Sequence, residues 1–329
     1  MTKDKGERNM SKNTKRKGNL KYSILLLLLI AILLITSTYA WFTANQTVKV
    51  SSLDVNVEAK NGLQISADAV KWKTILQKDD ILGASYTTNT NQIPDVLEPV
   101  SSAGDVAGGL MNMYYGTVAS SEKGDQTLKA TKETDTKGTE GRYITFDMFL
   151  RVDTETDIVL TTNSNVTYTG MADKGLQNAA RVAFINEGTK AVTETSAIQQ
   201  ALDGTSSIIW EPNYDVHSAE SVTYAKQTYD IDTTTTGAEQ IAYSGVSADI
   251  GTGIKLNEAN ATSNGTYFKE VTPTISTKQT PAQNETFMTL QAGITKVKVY
   301  MWVEGQDVDC QNSASGSDIS FTFELSINE

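Results

Sequence analysis

The chain has 329 residues, with 28 Lys and Arg against 39 Asp and Glu, a formal charge of −11. The first 21 residues carry a local +6, residues 22–40 carry no charge, and residues 41–329 are left with −17. An acidic body of that charge repels phosphate backbones and excludes nucleic acid as a partner. The single cysteine, Cys310, excludes a disulfide scaffold, and the single histidine, His217, excludes a site built on several imidazoles.

The N-terminal segment has the layout of an export leader. A basic stretch from Lys3 to Lys21 precedes twelve apolar residues, Ile24–Ile35, and then the small-residue exit Thr36-Ser37-Thr38-Tyr39-Ala40. Thr38 and Ala40 fill the −3 and −1 positions of a peptidase site that cuts before Trp41. The alternative is an uncleaved anchor, because residues 22–42 are uncharged and about 20 apolar residues span a bilayer. In either case the positive end stays inside and the acidic body is exported. A lipoprotein would need a cysteine just after the apolar run, and none stands there.

The body, residues 41–329, reads as one all-β domain. Threonine supplies 44 of 329 residues; it is β-branched and suits strands, while its hydroxyl keeps an exposed face wet. In chain order, Val48–Ala59 alternates, with Leu53, Val55 and Val57 on one face. Residues 101–141 are rich in Ser, Gly, Lys and Thr and read as a long loop or insertion. Tyr143–Val152, Asp157–Thr162 and Val166–Thr169 read as successive antiparallel strands. Arg181–Ile185 is a short buried strand or the end of a helix beginning near Leu176, and a short helix is expected around Ser196–Leu202. Residues 218–285 are polar and weakly patterned, an elaboration and not a catalytic domain. Ile294–Val303 places Val297, Val299 and Met301 on one face and Lys296, Lys298 and Tyr300 on the other. Asp318–Ile327 places Ile319, Phe321, Phe323 and Leu325 on one face. Strict alternation predicts an antiparallel β-sandwich with one face on the core and one face solvated, one or two short helices, and insertions at about 101–141 and 218–285.

The Thr38-Tyr39-Ala40-Trp41-Phe42-Thr43 junction, followed by the alternating strand with its Leu53-Asp54 pair, resembles the TasA/camelysin group of exported Gram-positive proteins. The match covers mainly residues 21–60, and the chain departs from TasA in its long insertions. The resemblance implies a jelly-roll-like β-sandwich, a dedicated signal peptidase as partner, and subunits of cell-surface or biofilm-matrix fibres. Such subunits self-associate by strand donation, or bind other matrix proteins. The donor here is Trp41 to about Val57, with Val48, Val50, Leu53, Val55 and Val57 as the residues that would fill a neighbour's sheet; the alternative is an ordinary intramolecular first strand. If the leader is retained, residues 22–42 contact the membrane and the protein reads as an anchored adhesion or binding module.

Camelysin is described as a metalloprotease, but this chain has no H-E-x-x-H, and His217 reads as an exposed loop histidine. No enzymatic activity is expected. Glu304, Asp307 and Asp309 crowd an acidic loop between the last two strands. They are candidate Ca²⁺ ligands; the other reading is a solvated hairpin turn at Gly305. No other cofactor is expected. Cys310 is a partly buried structural cysteine, or a thiol that pairs between chains. Trp210 and Trp302 read as packing aromatics, with carbohydrate stacking as the functional alternative.

Overall fold

The computed structural model describes residues 48–57, 63–120, 126–169, 173–255, 265–276, 285–310 and 316–328. The leader and the expected cleavage residues Thr38, Ala40 and Trp41 lie outside them. No helix among the described residues is long and apolar enough to cross a membrane.

The chain opens with β1 (Val48–Val57), β2 (Gln64–Ser66) and β3 (Ile75–Gln77), then the short helix α1 (Lys78–Leu82) and β4 (Val96–Leu97). The segment expected as a loop instead forms two hairpins: β5 (Val106–Ala107) with β6 (Leu110–Met111), and β7 (Met113–Ser120) with β8 (Gln126–Glu133). Next come β9 (Ile144–Val152), β10 (Thr156–Leu160) and β11 (Asn165–Tyr168), close to their expected bounds. A 3-10 turn at Leu176–Ala179 leads into β12 (Ala180–Lys190), so this stretch is a strand entered from a helical turn. The expected short helix is α2 (Thr195–Gln200), followed by β13 (Ile208–Glu211).

The second insertion contains an unexpected helix, α3 (Ala219–Tyr229). Its ends explain it: the Ser218 hydroxyl accepts from the Ser221 amide, and Asp230 closes the helix at a φ of 56°. Four short strands follow: β14 (Tyr243–Val246), β15 (Ile250–Lys255), β16 (Phe268–Val271) and β17 (Ile275–Ser276). The chain ends with β18 (Glu285–Leu290), β19 (Gly293–Val303) and β20 (Asp318–Ile327).

The architecture is all-β and sandwich-like. One sheet runs β18-β10-β20-β1-β3, with β11 also on β20 and β4 on β1; the other runs β17-β13-β12-β19-β9-β2. The core between them takes Ile319, Phe321, Phe323 and Leu325 from β20, and Val297, Val299 and Met301 from β19. Phe184 of β12 meets Phe323 edge-on, with centroids 5.5 Å apart and planes at 83°. That contact joins the two sheets directly.

Three expectations about pairing are corrected. The strands β9, β10 and β11 are not successive neighbours: β9 lies in the second sheet, while β10 and β11 both pair with β20. The strands β19 and β20 lie in different sheets, so the acidic segment between them crosses the sandwich and is no hairpin turn. Two pairings are parallel, β1 with β20 and β13 with β17, where an antiparallel sheet was expected.

The outer face of the second sheet is also not solvated. Every residue of β19 is buried. Val100 beside the first insertion, Met111 and Met113 within it, and Tyr243 and Val271 from the second, pack with Ala183, Ile185, Tyr300 and Trp302 into a second core. The insertions are therefore a third layer that covers the polar-looking face. At Gly245 of β14, a Cβ would stand 2.4 Å from the Ser102 carbonyl oxygen, so this layer closes only with glycine there.

Candidate functional site

The first site follows from the alternation of β1. This strand is internal: it pairs in parallel with β20 and antiparallel with β3 and β4. Val50, Leu53, Val55 and Val57 stand in register with Ile319, Phe321, Phe323 and Leu325, and Val48 with Leu97. Those five partners are all essentially inaccessible to solvent. Each apolar residue of β1 is thus matched to an apolar residue of the sheet it completes. A register break between Val50 and Ser52 keeps the match on both sides of one irregular step.

The second site is built where β12, β13, the Asn213–Ser218 segment and the Glu304–Cys310 segment meet beneath the third layer. Sequence reasoning missed its centre, Arg181, which is fully buried on β12. Arg181 pairs with Glu211 at 2.6 Å and with Asp307, and donates to the carbonyl oxygens of Asn178 and Ala180. Its guanidinium carbon lies 5.4 Å from the Tyr243 ring centroid. Gln240 donates to the other oxygen of Glu211 at 2.9 Å.

The three candidate calcium ligands are buried, not solvated, and each faces protein donors. Glu304 accepts from the Trp302 indole at 3.0 Å and from the Gln306 and Ser102 amides. Asp307 takes Arg181 and the Asp309 amide. Asp309 takes Nδ1 of His217 at 2.7 Å and the Ser218 amide at 3.2 Å. Among the described residues no group of three or more His, Cys, Asp or Glu side chains is arranged to hold a metal ion.

His217 is not the exposed loop residue the sequence suggested; it is buried against Asp309. Trp210 and Trp302 are completely buried, so neither face is open to stack on a carbohydrate. Cys310 is completely buried in the main core, so bonding to another chain's thiol would first require this segment to open.

This cluster holds more acid than base, and that sets its titration. Burial pushes the carboxyls of Glu211 and Glu304 up to about 7, against the pull of Arg181 on Glu211 and of the Trp302 donor on Glu304. Burial also raises Asp309. Burial opposes the charge on His217, but its bond to Asp309 and the surrounding carboxylates outweigh that and raise its pKa. Across the sheet, burial likewise brings Glu187 to about 7.

All these groups bind protons more tightly in the folded chain, so each stabilises the fold at low pH and loses that contribution as pH rises through its folded value. For a carboxyl moved from 4.5 to about 7, the loss is on the order of 3 kcal/mol between those values. The lowered carboxyls, Asp68, Asp80 and Asp230, act in the opposite direction, but only near their ordinary 3.8 and below. The thermal midpoint is therefore expected to fall steadily from pH 5 to pH 8, as read by scanning calorimetry. A flat profile, or a midpoint that rises with pH, would contradict this assignment.

Comparison with family models, with curated proteins and with solved structures finds no match to this chain.

Proposed function

We propose that this chain is an exported structural protein, a cell-surface or biofilm-matrix subunit that assembles by donating its first strand to the next copy. The observation that carries the reading is the register of β1, which sets Val48, Val50, Leu53, Val55 and Val57 opposite five buried apolar residues. The strand lies at the N-terminal end of the body, where a cut before Trp41 would release it. A segment with the same sequence in another copy satisfies the same edges of β20, β3 and β4 with the same backbone hydrogen bonds. Each Val or Leu that fills such a slot contributes about 1.5–3 kcal/mol, so exchange between copies conserves the energy that holds the strand at home. The jelly-roll-like winding implied by the TasA resemblance belongs to the same proposal.

The test uses the chain beginning at Trp41. Concentration-dependent fibres are expected by electron microscopy and light scattering. They should be absent from a chain lacking residues 41–57, and adding that segment as a free peptide to the chain beginning at Trp41 should fill the slots and stop fibre growth. If the purified chain stays monomeric across the concentration range, strand donation is wrong. If the protein from a Gram-positive host retains residues 1–40 and sediments with membranes, the anchored adhesion module replaces it.

A further inference from the structure

The outer face of the second sheet carries a polar group that the site above does not use. Cross-strand register places it. On β9 and β19, Asp147 lies opposite Lys298, and Phe149 lies opposite Lys296. On the other side of β19, β12 has an irregular step between Asn186 and Thr189, and Glu187 sits within it, near enough to feel the charge of Lys296. Two lysines and two carboxylates thus share one face of three adjacent central strands. Asp147, Lys296 and Lys298 are each 1% exposed, and Glu187 is fully buried.

The contacts are unequal. Lys296 Nζ lies 3.1 Å from Oδ2 of Asp147 and is held by the carbonyl oxygens of Gln199 and Ala201 at 3.1 and 3.0 Å. The Tyr86 hydroxyl donates to the same Oδ2 at 2.6 Å. Lys298 Nζ is farther, 3.6 Å from Oδ1 of Asp147, and is shared with Asp135 and Thr90. Oδ1 of Asp147 and Oε1 of Glu187 have no hydrogen-bond partner, although both are buried. Glu187 accepts from the Gly204 amide through its other oxygen and feels the charges of Lys296, Asp147 and Lys298. Around them stand Phe149, Ile198, Ala201 and Ile294, with the Tyr86 ring edge-on to Phe149.

An amine and a carboxyl buried in contact with each other are an unusual ion pair. Proton transfer within the contact converts ammonium and carboxylate to amine and acid without parting the two groups. Neutral amine and neutral acid are also the reactants of amide formation, and their fixed approach supplies the proximity that dilute groups lack.

We propose that Lys296 and Asp147 join through a side-chain isopeptide bond that ties β19 to β9. The neutral Nζ of Lys296 attacks Cγ of protonated Asp147 to give a tetrahedral intermediate. The Tyr86 hydroxyl stabilises the charge that develops on the carboxyl oxygen it already contacts. The excess proton on nitrogen passes to the departing hydroxyl, which leaves as water, while the charge of the nearby Glu187 carboxylate favours the positive nitrogen of the intermediate. One C–N bond forms, one C–O bond breaks and one water is lost, with no oxidant or cofactor. One oxygen of Glu187 has no hydrogen-bond partner, so its charge is left to act on this nitrogen. The product links two central strands across a long loop of sequence, which restricts the unfolded chain as a disulfide would. With a single cysteine, this chain has no intramolecular disulfide to do so.

Intact mass spectrometry of the purified full chain, denatured without cleavage of its backbone, tests the bond directly. The expected mass is lower than that of the sequence by one water. Digestion should yield a branched peptide joining the segment that holds Asp147 to the segment that holds Lys296. The sequence mass overturns the proposal, as does a water loss confined to one linear peptide or a branch at Lys298. The wild-type measurement does not depend on any variant folding. Glu187→Gln is expected to fold and to retain more of the full sequence mass than the wild type; a complete water loss in that variant would overturn its electrostatic role. Lys296→Arg and Asp147→Ala should each show the full mass and lose the branched peptide.

Discussion

Replacing Arg181 by alanine is expected to cost about 3–5 kcal/mol of folding stability at pH 8, because it strands buried carboxylates. Glu211 and Asp307 are both nearly inaccessible, and each spends its ionic partner on this one guanidinium. The loss should shrink at pH 5.5. Glu211, already near 7 with Arg181 present, then takes a proton and no longer requires a counter-charge. Urea unfolding at the two pH values reads the difference as a larger drop in midpoint at pH 8. Equal drops at both would mean that Arg181 contributes packing alone. Adding Glu211→Gln to the variant should recover part of the loss at pH 8 and little at pH 5.5, since the partner whose charge was stranded has been neutralised.

The contrast between Arg181 and the long strands shows what the sequence discloses. The strands β19 and β20 alternate with period two over ten or eleven residues, and a period of that length leaves little choice of structure or of core face. Val48–Val57 was legible for the same reason, but its neighbours were not. Pairing in parallel with the last strand is a long-range event with no local signal. The outer face of β19 misled because Lys296 and Lys298 are residue types almost always found in water. Their burial depends on Asp147 of β9, with nine strands between it and β19 in the sequence, and on Asp135 in the first insertion. That insertion itself hid its strands. In β7 and β8 only a few buried apolar residues, such as Tyr114, Leu128 and Ala130, mark the inward side of an otherwise polar hairpin. The cluster around His217 was half visible, since Glu304, Asp307 and Asp309 stood out as acidic. Their partners Arg181, Glu211 and His217 come from distant segments, so their chemistry changed from solvated loop to buried network only with the fold.

Replacing Phe323 by alanine is expected to cost about 3–5 kcal/mol and to loosen β1. Phe323 is fully buried, meets Phe184 across the sandwich, and stands in register with Val55 of β1. Phe184→Ala is the matched control. It removes the same aromatic pair and about as much apolar volume, but from β12, which does not pair with β1. Both variants should therefore lose similar global stability, while only Phe323→Ala removes a wall of the slot that β1 occupies. Hydrogen exchange of the Val48–Val57 amides separates the two effects. Exchange in that segment should exceed the change expected from global stability in Phe323→Ala and follow it in Phe184→Ala. Equal exchange in the two variants would show that β1 is held by its backbone ladder and not by the apolar register. In that case the register that carries the strand-donation proposal would lose its energetic meaning. If β1 loosens selectively, Phe323→Ala should also shorten or abolish the fibres expected of the chain beginning at Trp41, and Phe184→Ala at matched folded fraction should not.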